Sequence, residues 1–112
     1  MPTREDSRRI ALSLAEAYED THRRAPSFRV RGRIFCMFPR DVHHITVKLE
    51  REDQLNMIEG HPEAVAPARL CAHHGWTYVW PERADEALLT DLLRLAWTHV
   101  APANLRASAA RS

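Results

Sequence analysis

Between His22 and Arg40 the chain carries six arginines (Arg23, Arg24, Arg29, Arg31, Arg33 and Arg40) and no acidic residue. A guanidinium meets phosphate through paired hydrogen bonds, so this run can hold a nucleic-acid backbone. Arg29, Arg31 and Arg33 bracket Arg31-Gly32, a two-residue turn between strand-like segments. They would project from a narrow ribbon, with Arg23, Arg24 and Arg40 widening the patch. Lys48, the only lysine, falls on the polar side of an alternating strand and extends the patch across a sheet. About four phosphate contacts would give a salt slope near −3 to −4, hence weak, non-specific DNA binding. Two other readings stand beside this one. The arginines could pair with Glu16, Glu19, Asp20 or Asp41 on a solvated hairpin, or face an anionic small molecule or acidic protein.

Other reactive groupings are thin. Trp76, Tyr78 and Trp80 share one face of a strand and could stack bases, although packing in a core or partner surface is the simpler use. Of seven histidines, two pairs are adjacent, His43-His44 and His73-His74. Neighbours on a strand point to opposite faces, so neither pair chelates an ion easily, and no metal is expected. There is no Gly-x-Ser-x-Gly elbow, phosphate loop or dinucleotide-binding glycine pattern. With three glycines the chain has little material for cradling a nucleotide. No catalytic residue and no cofactor are expected.

The 112 residues are 45% hydrophobic and 28% charged, the balance of one ordinary globular domain. Net charge is only +1, yet it is unevenly divided: −2 over residues 1–21, +6 over 22–40 and −3 over 41–112. The near-neutral total hides a dipolar chain. Two cysteines are too few for a secreted scaffold, the first residues lack a signal-peptide pattern, and no apolar run approaches a membrane span. These features fit the cytosol, and no membrane partner is expected.

The elements that must position the arginines follow from periodicity. Thr3 followed by Asp6 starts a helix with Ile10, Leu14 and Ala17 or Tyr18 on one stripe, fading near Glu19–Thr21. From Ser27 the period becomes two, giving strands over 28–30, 33–38 and 43–49. Glu50 to Asp53 opens a second helix that stops at Gly60. Residues 61–67 read as a proline-bounded loop, 69–71 as a short strand and 76–80 as a strong one. Asp85 opens a leucine-rich helix closed by Pro102, and residues 107–112 read as a frayed tail beyond a domain of residues 1–106. The order α-β(3)-α-β(2)-α predicts a two-layer α+β fold, an antiparallel sheet with helices on one face. The segments 34–38 and 76–80 place apolar residues on both sides, so part of the open face should be apolar, either covered by curvature and flanking loops or a surface for a homodimer or protein partner.

This order and its punctuation resemble the MmcQ/YjbR family of small bacterial proteins. The matching residues are Ile10 and Leu14, Phe28-Arg29-Val30-Arg31-Gly32-Arg33-Ile34-Phe35, Val47-Lys48-Leu49, His61-Pro62-Glu63, Gly75-Trp76, and Ala96 with Val100-Ala101-Pro102. The match spans roughly residues 4–105. It departs from the family at Leu14-Ala15, where Pro is frequent, at Arg33, commonly Lys, and at His73-His74, where permanent charges are often seen. The resemblance implies a compact domain like that of CyaY or the secretion chaperones. It also implies DNA binding through a double-wing arrangement of hairpins.

Overall fold

The computed structural model describes residues 1–110. Helix α1 (Arg4–Ser13) begins with the expected capping box: the Thr3 hydroxyl accepts from the Asp6 amide at 3.2 Å and Asp6 accepts from the Thr3 amide at 2.8 Å. The helix ends earlier than expected. Leu14 is already extended and Glu16 adopts φ 58°, which turns the chain into an unforeseen strand, β1 (Tyr18–His22). That segment is an edge strand exposed over almost its whole length, so no buried alternation marks it in the sequence.

Strands β2 (Ala25–Val30), β3 (Arg33–Met37) and β4 (Ile45–Lys48) follow, then helix α2 (Arg51–Gly60), capped by the Glu50 carboxylate. A second correction concerns the next strand. It is β5 (Val65–Pro67), inside the expected loop, while residues 69–71 are irregular. The Val65–Val79 pairing chooses the earlier register, because it buries Val65 whereas Arg69, Leu70 and Cys71 remain exposed. Strand β6 (Trp76–Val79) and helix α3 (Glu86–Val100) match expectation, Asp85 accepting the Leu88 amide at 2.7 Å. Beyond Pro102 a short helix α4 (Ala103–Ala110) replaces much of the expected frayed tail, whose last two residues lie outside the described ones. Leu105 holds it down by burying its side chain in the core.

The result is an α+β fold with one antiparallel six-stranded sheet in the order β1-β2-β3-β4-β6-β5. Helix α3 crosses β3 and β4, α1 packs on α3, and α2 lies by β5. Phe28, Cys36, Val47 and Thr77 form one inward ladder, and Val65, Ile45 and Val79 another, under Leu89, Leu92 and Leu93. Between Phe28 and Arg29 the register slips by one residue, leaving Phe35 without a partner on β2. That bulge explains why Phe35 and Cys36, neighbours in sequence, are both fully buried. Burial also pushes the Cys36 thiol pKa upward. Among the described residues no helix is long and apolar enough to cross a membrane.

Candidate nucleic-acid interface

The arginine run folds into two tips rather than one. The β1–β2 hairpin turns at Arg23 and Arg24, with φ 50° and 68°; the β2–β3 hairpin turns at Arg31 and Gly32, with φ 50° and 82°. Two consecutive left-handed residues are what a type I′ turn requires, and it suits the twist of paired strands. Because both hairpins share β2, their tips lie at opposite ends of that strand, about 17 Å apart at strand rise. The Arg40 guanidinium donates to the Arg24 carbonyl at 2.7 Å, so Arg40 joins the first tip.

Charge is freer at some of these positions than at others. Arg31 grips Glu16 through two contacts, Nε at 2.7 Å and a terminal nitrogen at 3.0 Å. The bond lowers the Glu16 pKa and raises that of Arg31. Glu19 is taken by Arg8 from α1, at 3.2 Å to both oxygens. Arg29 is half-buried and donates to the Ser27 hydroxyl at 3.2 Å. Arg23, Arg24 and Arg33 are exposed and form no ion pair among the described residues. At the second tip Arg33 and Lys48 both lie near His99 at the end of α3. Burial first, then Lys48 and Arg33, lower the His99 pKa, while Glu50 and Asp53 act the other way.

The face of the sheet turned away from the helices runs between the tips; its Ser27 and Thr46 are buried, and its Met37, Trp76, Tyr78 and Trp80 half-buried. Ser27, Met37, Thr46, Tyr78 and Ala66 form one rung of it; Arg29 with Ile34, and Lys48 with Trp76, form two others. Trp76, Tyr78 and Trp80 are all half-buried here, together as the alternation requires. The Lys48 ammonium lies 5.7 Å from the Trp76 ring centre and the Arg83 guanidinium 5.0 Å from that of Trp80. Both distances suit cation–π attraction. His44 stacks on Tyr78, with ring centres 3.9 Å apart, and meets Trp80 edge-on at 5.5 Å. Burial, then the Arg4 charge, lower the His44 pKa, which favours the neutral ring.

His44, Arg83 and Arg4 are contributors that sequence reasoning missed. His44 precedes Ile45 in the alternation, which was a usable signal. Arg4 offered none: its guanidinium donates to the carbonyls of Pro39, Val42 and His44 at 2.7, 2.8 and 2.8 Å, tying α1 to the loop before β4. At the other end of the sheet Gly75, φ 94°, brings its backbone against Leu49, where an added Cβ would overlap the Leu49 carbonyl oxygen. Gln54, fully buried, donates to the Ala72 and Trp76 carbonyls at 3.0 Å each, fixing the start of β6.

The protein-family comparison matches YjbR over residues 12–99. No curated protein matches the sequence. Among solved structures, a Deinococcus radiodurans protein carrying a DUF419 domain is similar in fold. It is 20% identical with a TM-score of 0.76, over 98% of this chain and 89% of that one. Since the family match takes in all six strands of the sheet, helix α2, and α3 to His99, the chain belongs to the YjbR family.

Proposed function

We propose that this is a non-enzymatic, cytoplasmic nucleic-acid-binding protein that holds phosphates on and around its open sheet face. One observation carries the reading. The outward side of β2, β3, β4 and β6 presents Arg29 and Lys48 and no carboxylate, Asp20 standing beyond them on the β1 edge, although the chain as a whole is almost neutral. Arg33 adds an unpaired charge at one margin, and Arg23 and Arg24 at the other. No cofactor is needed for such binding. The exposed free thiol of Cys71 suits a reducing compartment.

Fluorescence anisotropy with labelled duplex DNA and oligonucleotides tests this at low and moderate salt. Weak binding that falls steeply with salt, and that Lys48→Ala/Arg33→Ala reduces, is the expected result. Absence of binding at low salt removes the reading.

A second reading uses the same face for a protein partner or a second copy of the chain, in the manner of a chaperone-like module. Ile34 and Met37 favour it, half-buried apolar side chains between the cations and the aromatics. Sedimentation of the pure protein tests for the second copy: a strict monomer removes the homodimer.

A further inference from the structure

We infer that the open face takes single-stranded rather than duplex nucleic acid, stacking unpaired bases on Tyr78 and Trp80 while Lys48 and Arg83 hold phosphates. This rests on the nucleic-acid reading above and narrows its ligand.

The chemistry lies in the pairing of ring and charge. Each terminal aromatic of the track has its own cation, Lys48 beside Trp76 and Arg83 beside Trp80. Aromatic rings with adjoining positive charges are what an unpaired strand requires, since every base has a stacking face and every nucleotide a phosphate. Side chains two residues apart on a strand are about 6.8 Å apart, roughly twice the 3.4 Å base rise of a duplex. Bases meeting Trp76, Tyr78 and Trp80 in turn must therefore be splayed from one another, which duplex stacking forbids and a single strand allows. Tyr78 and Trp80 stand nearly perpendicular, 85° between ring planes, so the rings form a stepped surface suited to splayed bases and not to the regular stack of a duplex. Among the described residues no helix stands free on this face.

The charge pattern makes the two ends of the track unequal. Glu82 lies by His43, Trp80 and Arg83 at one end, and Asp20 stands on the outward side of the β1 edge, paired with Ser27. The central rungs and the Lys48–Trp76 rung carry no acid, although Glu50 and Asp53 follow Lys48 at the start of α2. The two phosphate holders are thus unequal: Lys48 sits on a rung without an acid, whereas Arg83 holds its phosphate beside Glu82. His44, held toward neutrality against Tyr78, adds ring area without adding charge.

The test compares the full chain with labelled oligodeoxyuridine and oligouridine of about 12 nucleotides, which differ only in the sugar, and with duplex DNA of equal length, by anisotropy and tryptophan fluorescence. Single strands should bind at least about tenfold more tightly than duplex and quench tryptophan emission; the tighter of the two identifies the preferred sugar. Trp80→Leu and Tyr78→Leu, which keep apolar bulk, should each weaken single-strand binding about fivefold or more while leaving duplex binding nearly unchanged. Tyr78→Phe, retaining the ring, should restore it, and circular dichroism confirms that each variant is folded. Duplex binding equal to single-strand binding, unmoved by both leucine variants, overturns the inference and leaves the broader reading standing. No binding to any of the three probes overturns both.

Discussion

Arg31 and Glu16 form a two-pronged ion pair at 2.7 and 3.0 Å, between a hairpin tip and the bend that ends α1. Of the seven cations that the sequence offers for phosphate binding, the one at the apex of the β2–β3 hairpin is therefore engaged by the protein itself. Both partners are exposed, so the pair contributes little to folding, yet it removes one charge from the surface available to a ligand.

Glu16→Gln should accordingly free Arg31. The expected result is tighter nucleic-acid binding with a salt slope steeper by about 0.7 to 0.9, one additional contact. Arg31→Ala in the native background should change affinity little, and the double variant should bind like Arg31→Ala. Anisotropy titrations over a salt series check all three.

The same pair sets an acid limit. Because Arg31 lowers the Glu16 pKa, the pair should survive as pH falls through the ordinary carboxylate range and open only below it. The stabilising effect, though small, is present above the unfolded-state pKa and lost as pH drops through the folded one. Carboxyl-carbon NMR titration of Glu16, with Arg31→Ala as comparison, should show a lower midpoint in the native protein.

How much of this was legible depended on what each residue had to bury. The helix starts at Thr3, Glu50 and Asp85 announce themselves because capping is local chemistry, complete within four residues. The β2–β3 hairpin was legible from Arg31-Gly32 between apolar runs. Strand β1 was not, since an edge strand with exposed Glu19, Asp20 and Thr21 buries almost nothing. The bulge at Phe28 also hid the true facing of Phe35 and Cys36, because it breaks the period on which facing is read. At the site, residue types sufficed to mark the arginines and aromatics as candidates. Their division between two ends of β2 depended on β1, and so did the distance between Arg24 and Arg33.

His44 gives a prediction at neutral to acid pH. Its pKa is lowered by burial and then by Arg4, so the folded state favours the neutral ring. This contribution to stability is present above the unfolded value of about 6.5 and is lost as pH falls through the lower folded value. Arg4→Met should raise the His44 midpoint in an NMR titration. It should also destabilise the fold by about 1–3 kcal/mol in a denaturant melt, because the Pro39, Val42 and His44 carbonyls lose a charged donor.

Gly75 is tested by one methyl group. In Gly75→Ala the new Cβ meets the Leu49 carbonyl oxygen, in backbone that cannot swing aside, and φ 94° is strained for any L side chain. The Leu49 amide also donates to the Gly75 carbonyl at 2.9 Å, so moving either segment breaks that bond. A loss of at least about 2 kcal/mol is expected, read as a lower melting midpoint. Tryptophan emission should shift as well, because Trp76 follows directly and its placement depends on this turn.

The Arg23-Arg24 turn separates stability from binding. Both residues adopt left-handed φ, 50° and 68°, a conformation that costs an L-residue roughly 1–2 kcal/mol and that Asn-Gly adopts far more readily. Arg23→Asn/Arg24→Gly should therefore raise stability by about 1 kcal/mol, part of the gain being offset by the greater freedom of glycine in the unfolded chain. Arg40 donates to the Arg24 backbone carbonyl, not its side chain, so that bond survives the exchange. If the two arginines serve only the turn, nucleic-acid affinity stays constant while the melting midpoint rises. The expected outcome is different: a more stable protein that binds more weakly, with a salt slope shallower by up to about 1.8, the signature of two lost phosphate contacts. Melting and anisotropy on the same variant decide between these outcomes, because strain and charge move the two measurements in opposite directions.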